Sequence, residues 1–392
     1  MVGPIEEGSS FRQVDGSPVR PLRILTHSLF LDPVGGVELC TLQDSVALAA
    51  RGHAIDLMYG AEGSFRSNYE ESGVFLAGPI SFDFDLRHPV GGFASFVKPA
   101  RWARSRHPDV LWLNRFEHIF WAQSVARWSR CPIVCHLHHK PNFRRTKELS
   151  LGVAHFIAVS NFMRDSWVEA GIKPERISVV DNAVPKLQYP RGGIPERAAA
   201  REKLGIAPDV VVVLYYGWIT QEKGVGTLLE AWAKLARDAD RARLVLVGSP
   251  LTSEDAELDR QLRSIAPSSI QWFPMQSDVT PFLHAADLVV FPTWLDEGFG
   301  RVVIEGMSTG RPVIASRAGA VPEILSGPMA RFLVEPRDSN ELSAKIASLL
   351  DWRRTEPELA AACANWVDER YPFDGHVKAV EEVLLRYRRG RR

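Results

Sequence analysis

At 392 residues the chain exceeds what one hydrophobic core usually supports, so two domains are expected. Hydrophobic residues make up 45% and charged residues 24%, the mix of an ordinary soluble globular protein. The 47 Lys and Arg balance 47 Asp and Glu, so no global field recommends nucleic acid as a partner.

Residues 1–20 are polar, include Glu6-Glu7-Gly8-Ser9-Ser10, and lack the apolar segment of a signal peptide; they read as a disordered leader. From there short β-rich runs alternate with helical patterns, the mark of parallel α/β architecture. Strands are expected at Leu22 to Thr26, Ala54 to Met58, Val110 to Leu113, Ile133 to Leu137, Phe156 to Val159 and Ile177 to Val180. A helix from Val37 to Arg51 follows the first, and another from Asn161 to Ala170 stops at Gly171. Leu187 to Arg197 carries Pro/Gly punctuation without periodicity and reads as the linker between a domain over 21–187 and one over 188–373. The second cycle opens at Asp209 to Tyr216, apolar as a strand buried on both faces should be. It continues through Leu244 to Val247, Ile270 to Phe273, Leu288 to Phe291 and Val313 to Ala315, and a last helix spans Asp374 to Arg388. Cys40, Cys131, Cys135 and Cys363 are too few for a disulfide framework, and no apolar run approaches a bilayer span. A reduced, cytoplasmic, soluble protein is the reading.

Glu297 and Glu305 flank Gly298-Phe299-Gly300-Arg301-Val302-Val303-Ile304, where a buried strand gives way to a glycine-bearing turn and a helix. The arrangement sets an acid on the loop, free N–H groups at a fresh helix start, and a second acid within the helix. Such N–H groups cradle phosphate, and carboxylates accept hydrogen bonds from hydroxyls. A diphosphate between two polyhydroxylated rings, as in a sugar nucleotide, suits that layout. The run Asp296-Glu297-Gly298-Phe299-Gly300, through Glu305-Gly306-Met307, to Gly310-Arg311-Pro312-Val313-Ile314-Ala315-Ser316 resembles the signature of retaining family-4 glycosyltransferases of the GT-B fold (glycosyl transferases group 1). The likeness extends from about Arg23 to about Tyr387.

The resemblance implies two Rossmann-like domains facing one another across a cleft, the first acceptor-side and the second binding the donor. It also implies a C-terminal helix, over 374–392, that crosses back to the first domain. Lys223-Gly224, in the turn that begins at Gly217, matches the family's diphosphate-binding lysine and the glycine after it. The family's arginine position is occupied by Trp218, and Arg301 or an arginine of the first domain is the stand-in. Lys223, Arg301 and the N–H groups at Gly298, Phe299 and Gly300 are expected to hold the leaving group, Glu305 the ribose and Glu297 the transferred sugar. Met275 lies in the run expected to line the nucleobase slot. The Gly35-Gly36 pair faces the cleft on the acceptor side, with Gly36 also near the donor. His138, at the tip of the strand Ile133 to Leu137, is the candidate beside the transferred sugar; His136 shares its face by strand alternation and is the rival. No side-chain nucleophile, metal or cofactor is expected, because cations and helix dipoles neutralise the diphosphate in such enzymes.

Some signals are weaker. Cys131, Cys135 and the neighbouring histidines fit no zinc spacing, and Gly224-Val225-Gly226 lacks the third glycine of a dinucleotide fingerprint. Ser160-Asn161 is first of all an N-cap. Two basic stretches, Phe93 to His107 and Arg386 to Arg392, suit an anionic membrane at the inner face, though a solvated helix face and a terminal tail explain them without one. The reading is transfer of a sugar from a nucleoside-diphosphate donor to a hydroxyl acceptor: a lipid-linked glycan, polysaccharide precursor or natural product. A sugar-nucleotide epimerase and a non-catalytic sugar-nucleotide-binding partner are the alternatives.

Overall fold

The computed structural model describes residues 20–85, 87–235, 241–265 and 268–390, so the expected leader lies outside the described residues except for Arg20. They divide into two compact units, one of residues 20–134, Gly152–Ala154 and 384–390, the other of Cys135–Leu151 and His155–Val383.

Strands β1 (Arg23–Phe30), β2 (Ala54–Ala61), β3 (Phe75–Ala77), β4 (Val110–Leu113), β5 (Ile133–Leu137), β6 (Val153–Ala158) and β7 (Ile177–Val179) form a sheet ordered β3-β2-β1-β4-β5-β6-β7. Strands β8 (Val211–Tyr216), β9 (Ala242–Val247), β10 (Ile270–Phe273), β11 (Leu288–Phe291), β12 (Val313–Ser316) and β13 (Leu333–Val334) form a second, ordered β10-β9-β8-β11-β12-β13. The pairs β1–β2, β1–β4 and β8–β11 run parallel, and helices make the crossovers that parallel pairing requires. These are the two Rossmann-like sheets expected. Strands β4, β5, β11 and β12 are buried at every position, which is why their sequences are nearly continuous apolar runs. Each sheet reverses its strand order once, between β1 and β4 and between β8 and β11. Ligands bind at the carboxyl ends of strands at such reversals.

In the second unit the opposite end of β11 is anchored by charge. Asp287 accepts from the Val212 N–H at 2.8 Å and from Arg201 at 2.7 Å, and pairs with Arg197 and Arg353 at 3.0 and 2.6 Å. Burial works against ionising Asp287, but the three guanidiniums prevail and hold its carboxyl below the usual range. Arg311, buried nearby, donates to the carbonyls of His284, Ala286 and Gly192, and burial lowers its pKa to about 9.

The helix after β1 starts at Gly36, and helix Asn161–Glu169 ends before Gly171, which takes the left-handed φ of 96° that the stop needs. Helix Ile194–Leu204 begins within the stretch read as the linker. Its Pro195 sits in the first turn, where proline costs no hydrogen bond, and Glu196 accepts the Gly193 N–H at 2.8 Å. The basic stretch from Phe93 lies on helix Pro89–Arg106. The final helix is Phe373–Arg386, after which the Arg389 N–H donates to the Asp109 carbonyl at 2.8 Å within the first unit. Among the described residues no helix is long and apolar enough to cross a membrane.

Candidate active site

The site in the second unit is built where β8 and β11 end side by side. Gly217, with φ 136°, carries the chain out of β8, and its N–H bonds to Val247 of β9 at 3.0 Å. The loop it opens is stitched to the loop after β11, since the Trp294 N–H donates to the Glu222 carbonyl at 2.7 Å. Gly224 takes φ 75° at the start of helix Val225–Lys234, and a Cβ there would lie 1.9 Å from the Pro292 carbonyl oxygen. No other residue fits without separating the loops. That closeness sets Lys223 Nζ 2.6 Å from Glu297 Oε1, which also accepts from Thr293 Oγ1 at 3.1 Å. Both charged side chains keep about a fifth of their surface exposed, 23% for Lys223 and 18% for Glu297, so a ligand can reach them.

Gly300 turns the chain into helix Arg301–Ser308 with φ 99°. Gly298 is pressed against the His138 backbone, where a Cβ would meet the carbonyl oxygen at 2.2 Å. Its own carbonyl accepts from Ser160 Oγ at 2.6 Å, while Ser160 Oγ caps its helix by accepting the Met163 N–H at 3.0 Å. Lys140 Nζ pairs with Asp296 at 2.9 Å. Glu323 accepts from the N–H groups of Asn161 and Phe162 at 2.9 and 2.5 Å, in keeping with a carboxylate at a helix N-terminus. His138 is therefore brought beside the Glu297 loop. His136 does lie on its face, the two rings 4.3 Å apart between centroids.

Glu305 is 5% exposed. Its Oε2 accepts from the Tyr216 hydroxyl at 2.9 Å and its Oε1 from Arg301 Nε at 3.2 Å. Burial, then the Glu305 charge, pushes the Tyr216 hydroxyl well above its ordinary pKa, so it remains a donor. The buried Tyr189 hydroxyl also donates to Glu305. Arg301, expected to stand in for the absent arginine, is 9% exposed and also donates to the Ala183 carbonyl at 3.1 Å. Phe299 is buried edge-on against Tyr371, and the half-buried Met275 donates its N–H to Ser249 Oγ at 3.1 Å. Gly35 and Gly36 lie in the first unit, capping and opening helix Gly36–Ala50, with Gly35 in extended backbone. Among the described residues no cluster of three or more His, Cys, Asp or Glu is arranged to hold a metal ion.

Tyr216, Lys140, Thr293 and Glu323 escaped sequence reasoning. Only Tyr216 carried a signal: a hydroxyl at the end of a buried strand must find a partner.

Residues 34–186 match the family described as Glycosyltransferase Family 4 and residues 210–351 that described as Glycosyl transferases group 1, together most of the chain. The chain is 29% identical over 262 residues to the lipopolysaccharide 1,2-N-acetylglucosaminetransferase of Salmonella typhimurium, covering 64% of this chain and 66% of that protein. It is 26% identical over 392 aligned positions to the D-inositol 3-phosphate glycosyltransferase of Rhodococcus jostii, covering 88% and 84%. Among solved structures, Anabaena HepE in complex with UDP and glucose superposes with a TM-score of 0.79 at 23% identity, covering 93% of this chain and 99% of that one. That likeness is one of fold. With two family matches in succession on two Rossmann-like sheets, the chain belongs to the family-4, group 1 glycosyltransferases of the GT-B fold.

Proposed function

We propose that the protein transfers a glycosyl group from a nucleoside-diphosphate sugar to a hydroxyl acceptor with retention at the anomeric carbon. The observation that carries this is the Lys223–Glu297 pair, 2.6 Å apart and accessible, at the mouth of the helix that begins after Gly300. Lys223 and the N–H groups from Gly298 to Arg301 hold the departing diphosphate, as charge-assisted bonds and a helix dipole favour. Glu297, relieved of Lys223 by the phosphate, accepts from hydroxyls of the transferred sugar. Glu305 accepts from the ribose, steadied by Tyr216 and Arg301. The acceptor attacks on the face the diphosphate leaves, and a donor phosphate oxygen takes its proton, so no side-chain nucleophile is assigned. His138 shapes the sugar pocket. Neutralisation falls to these protein groups, and the mechanism calls on no metal. The UDP and glucose bound in HepE lend support to a nucleotide-sugar donor.

Helix Pro89–Arg106 exposes Val90, Phe93 and Val97 together with Lys98, Arg101 and Arg104, a combination that favours peripheral association with an anionic membrane. The test of the central reading is product analysis. Nucleoside diphosphate released only when an acceptor is present, with the donor's anomeric configuration kept by NMR, is the expected result. Interconversion of the donor sugar without release would favour the epimerase, and donor binding without turnover the non-catalytic partner.

A further inference from the structure

Glu323 sits on the short helix Val321–Ile324, and its bonds close a ring around the loop that carries Glu297. The ring starts at the Glu297 carbonyl, which accepts the Ala320 N–H at 2.9 Å. Gly319 makes that approach possible: it takes φ 56°, and a Cβ there would stand 2.3 Å from the same carbonyl oxygen. One turn on, the Glu323 carboxylate reaches helix Asn161–Glu169. One oxygen accepts from the Asn161 N–H and side-chain amide at 2.9 and 3.2 Å, the other from the Phe162 N–H at 2.5 Å. Ser160, the N-cap of that same helix, donates to the Gly298 carbonyl at 2.6 Å. The ring thus returns to the residue beside Glu297.

Each link has a physical reason. The Ser160 hydroxyl accepts the Met163 N–H at 3.0 Å, so the N–H groups of Asn161 and Phe162 need an acceptor from elsewhere. Glu323 supplies it, and its charge suits the positive end of the helix. Ser160 has a single proton to give, and the Met163 N–H occupies its acceptor side, so the aim of its O–H follows the helix that Glu323 holds. The same helix steadies the chain beyond His138, because Trp167 Nε1 donates to the His139 carbonyl at 2.9 Å. Lys140 and Asp296, the other tie on the loop, are exposed at 47% and 53%, and such a pair contributes little in water.

We propose that Glu323 is a positioning residue for glycosyl transfer. By fixing helix Asn161–Glu169 it holds Ser160 on Gly298, and so keeps the loop from Asp296 to Gly300 in its donor-binding shape before the donor arrives. The cost of ordering that loop then falls on folding instead of on binding. The assignment rests on the glycosyl-transfer reading above.

Calorimetric titration of the full chain, well below Tm and with each variant's fold checked by circular dichroism, tests it. The probes are UDP, GDP, ADP and TDP, and the one that wild type binds most tightly is carried into the variants. A loop left competent about a tenth of the time weakens that nucleotide about tenfold, the loss expected of Glu323→Ala. Glu323→Gln keeps one acceptor oxygen and should lose less. Ser160→Ala breaks the same ring at its last link and should match Glu323→Ala. Because both act through one contact, the double variant should fall about tenfold in total, not the roughly hundredfold of independent sites. Should Glu323→Ala fail to fold, the same cycle is run with Glu323→Gln. A lowered Tm with wild-type nucleotide affinity, the mark of a purely structural clamp, would overturn the proposal. So would a double variant whose losses simply add. Absence of nucleotide binding by wild type would remove the glycosyl-transfer reading and this proposal with it, whereas binding by wild type with indifferent variants removes the proposal alone.

Discussion

Replacing Tyr216 with phenylalanine removes one buried hydroxyl of the candidate site, which bonds chiefly to Glu305 and also lies 3.4 Å from the Val302 carbonyl. The ring is buried among β8 and its neighbours, and phenylalanine keeps that packing, so only the hydroxyl is lost. That hydroxyl donates to Glu305 Oε2 at 2.9 Å, while Arg301 Nε holds the other oxygen at 3.2 Å. A hydrogen bond to a charged group contributes about 1.5–3 kcal/mol. Because Glu305 is 5% exposed, little water can replace it. At about 1.4 kcal/mol per decade, nucleoside-diphosphate affinity should fall about tenfold or more if Glu305 is the ribose ligand. Tm should fall by about 3–10 °C for a unit of this size. Isothermal titration calorimetry and differential scanning calorimetry measure the two effects. The loss should be constant from about pH 6 to 9, where the hydroxyl of Tyr216 stays protonated. A lowered Tm with unchanged nucleotide affinity would refute the ribose role and leave Glu305 a structural acid.

Other outcomes follow from the same geometry. Gly224→Ala forces a Cβ to within 1.9 Å of the Pro292 carbonyl at a φ of 75°. It should cost at least about 1–2 kcal/mol from the left-handed backbone alone, and it should move Lys223 from Glu297, lowering turnover more than Tm. Asp287→Asn leaves the buried Arg201 without its counter-charge and should destabilise the second unit by about 3–5 kcal/mol in urea unfolding. Asp287 has a folded-state pKa below its unfolded value. Its contribution is therefore full above about pH 4 and is lost as pH falls through the folded value, so the mutant's deficit should shrink on acidification. A deficit that grows at low pH would contradict the ion-pair account.

Much of the fold was legible because buried parallel strands announce themselves as apolar runs. Those that carry the site, β8 and β11, start or end close to where periodicity places them. The edge strands β3 and β13 are two or three residues long, too short to leave a pattern. The helix that starts at Ile194, inside the stretch read as the linker, was hidden because glycine and proline mark helix starts as well as loops. The juxtaposition of Lys223 with Glu297 is 74 residues apart in sequence and depends on the register of β8 against β11, which no local window contains. The partners of Glu305 and the bond from Ser160 to Gly298 were hidden for the same reason.

The most direct test is a nucleotide titration. A thermal-shift screen of UDP, GDP, ADP and TDP selects the base, and calorimetry then compares wild type with Lys223→Ala and Glu305→Ala, each checked for folding by circular dichroism. A diphosphate gripped between Lys223 and the helix that starts at Arg301 requires both variants to lose about tenfold or more in affinity, the worth of a charge-assisted bond. Two well-folded variants that bind the nucleotide as tightly as wild type would place the leaving group somewhere else.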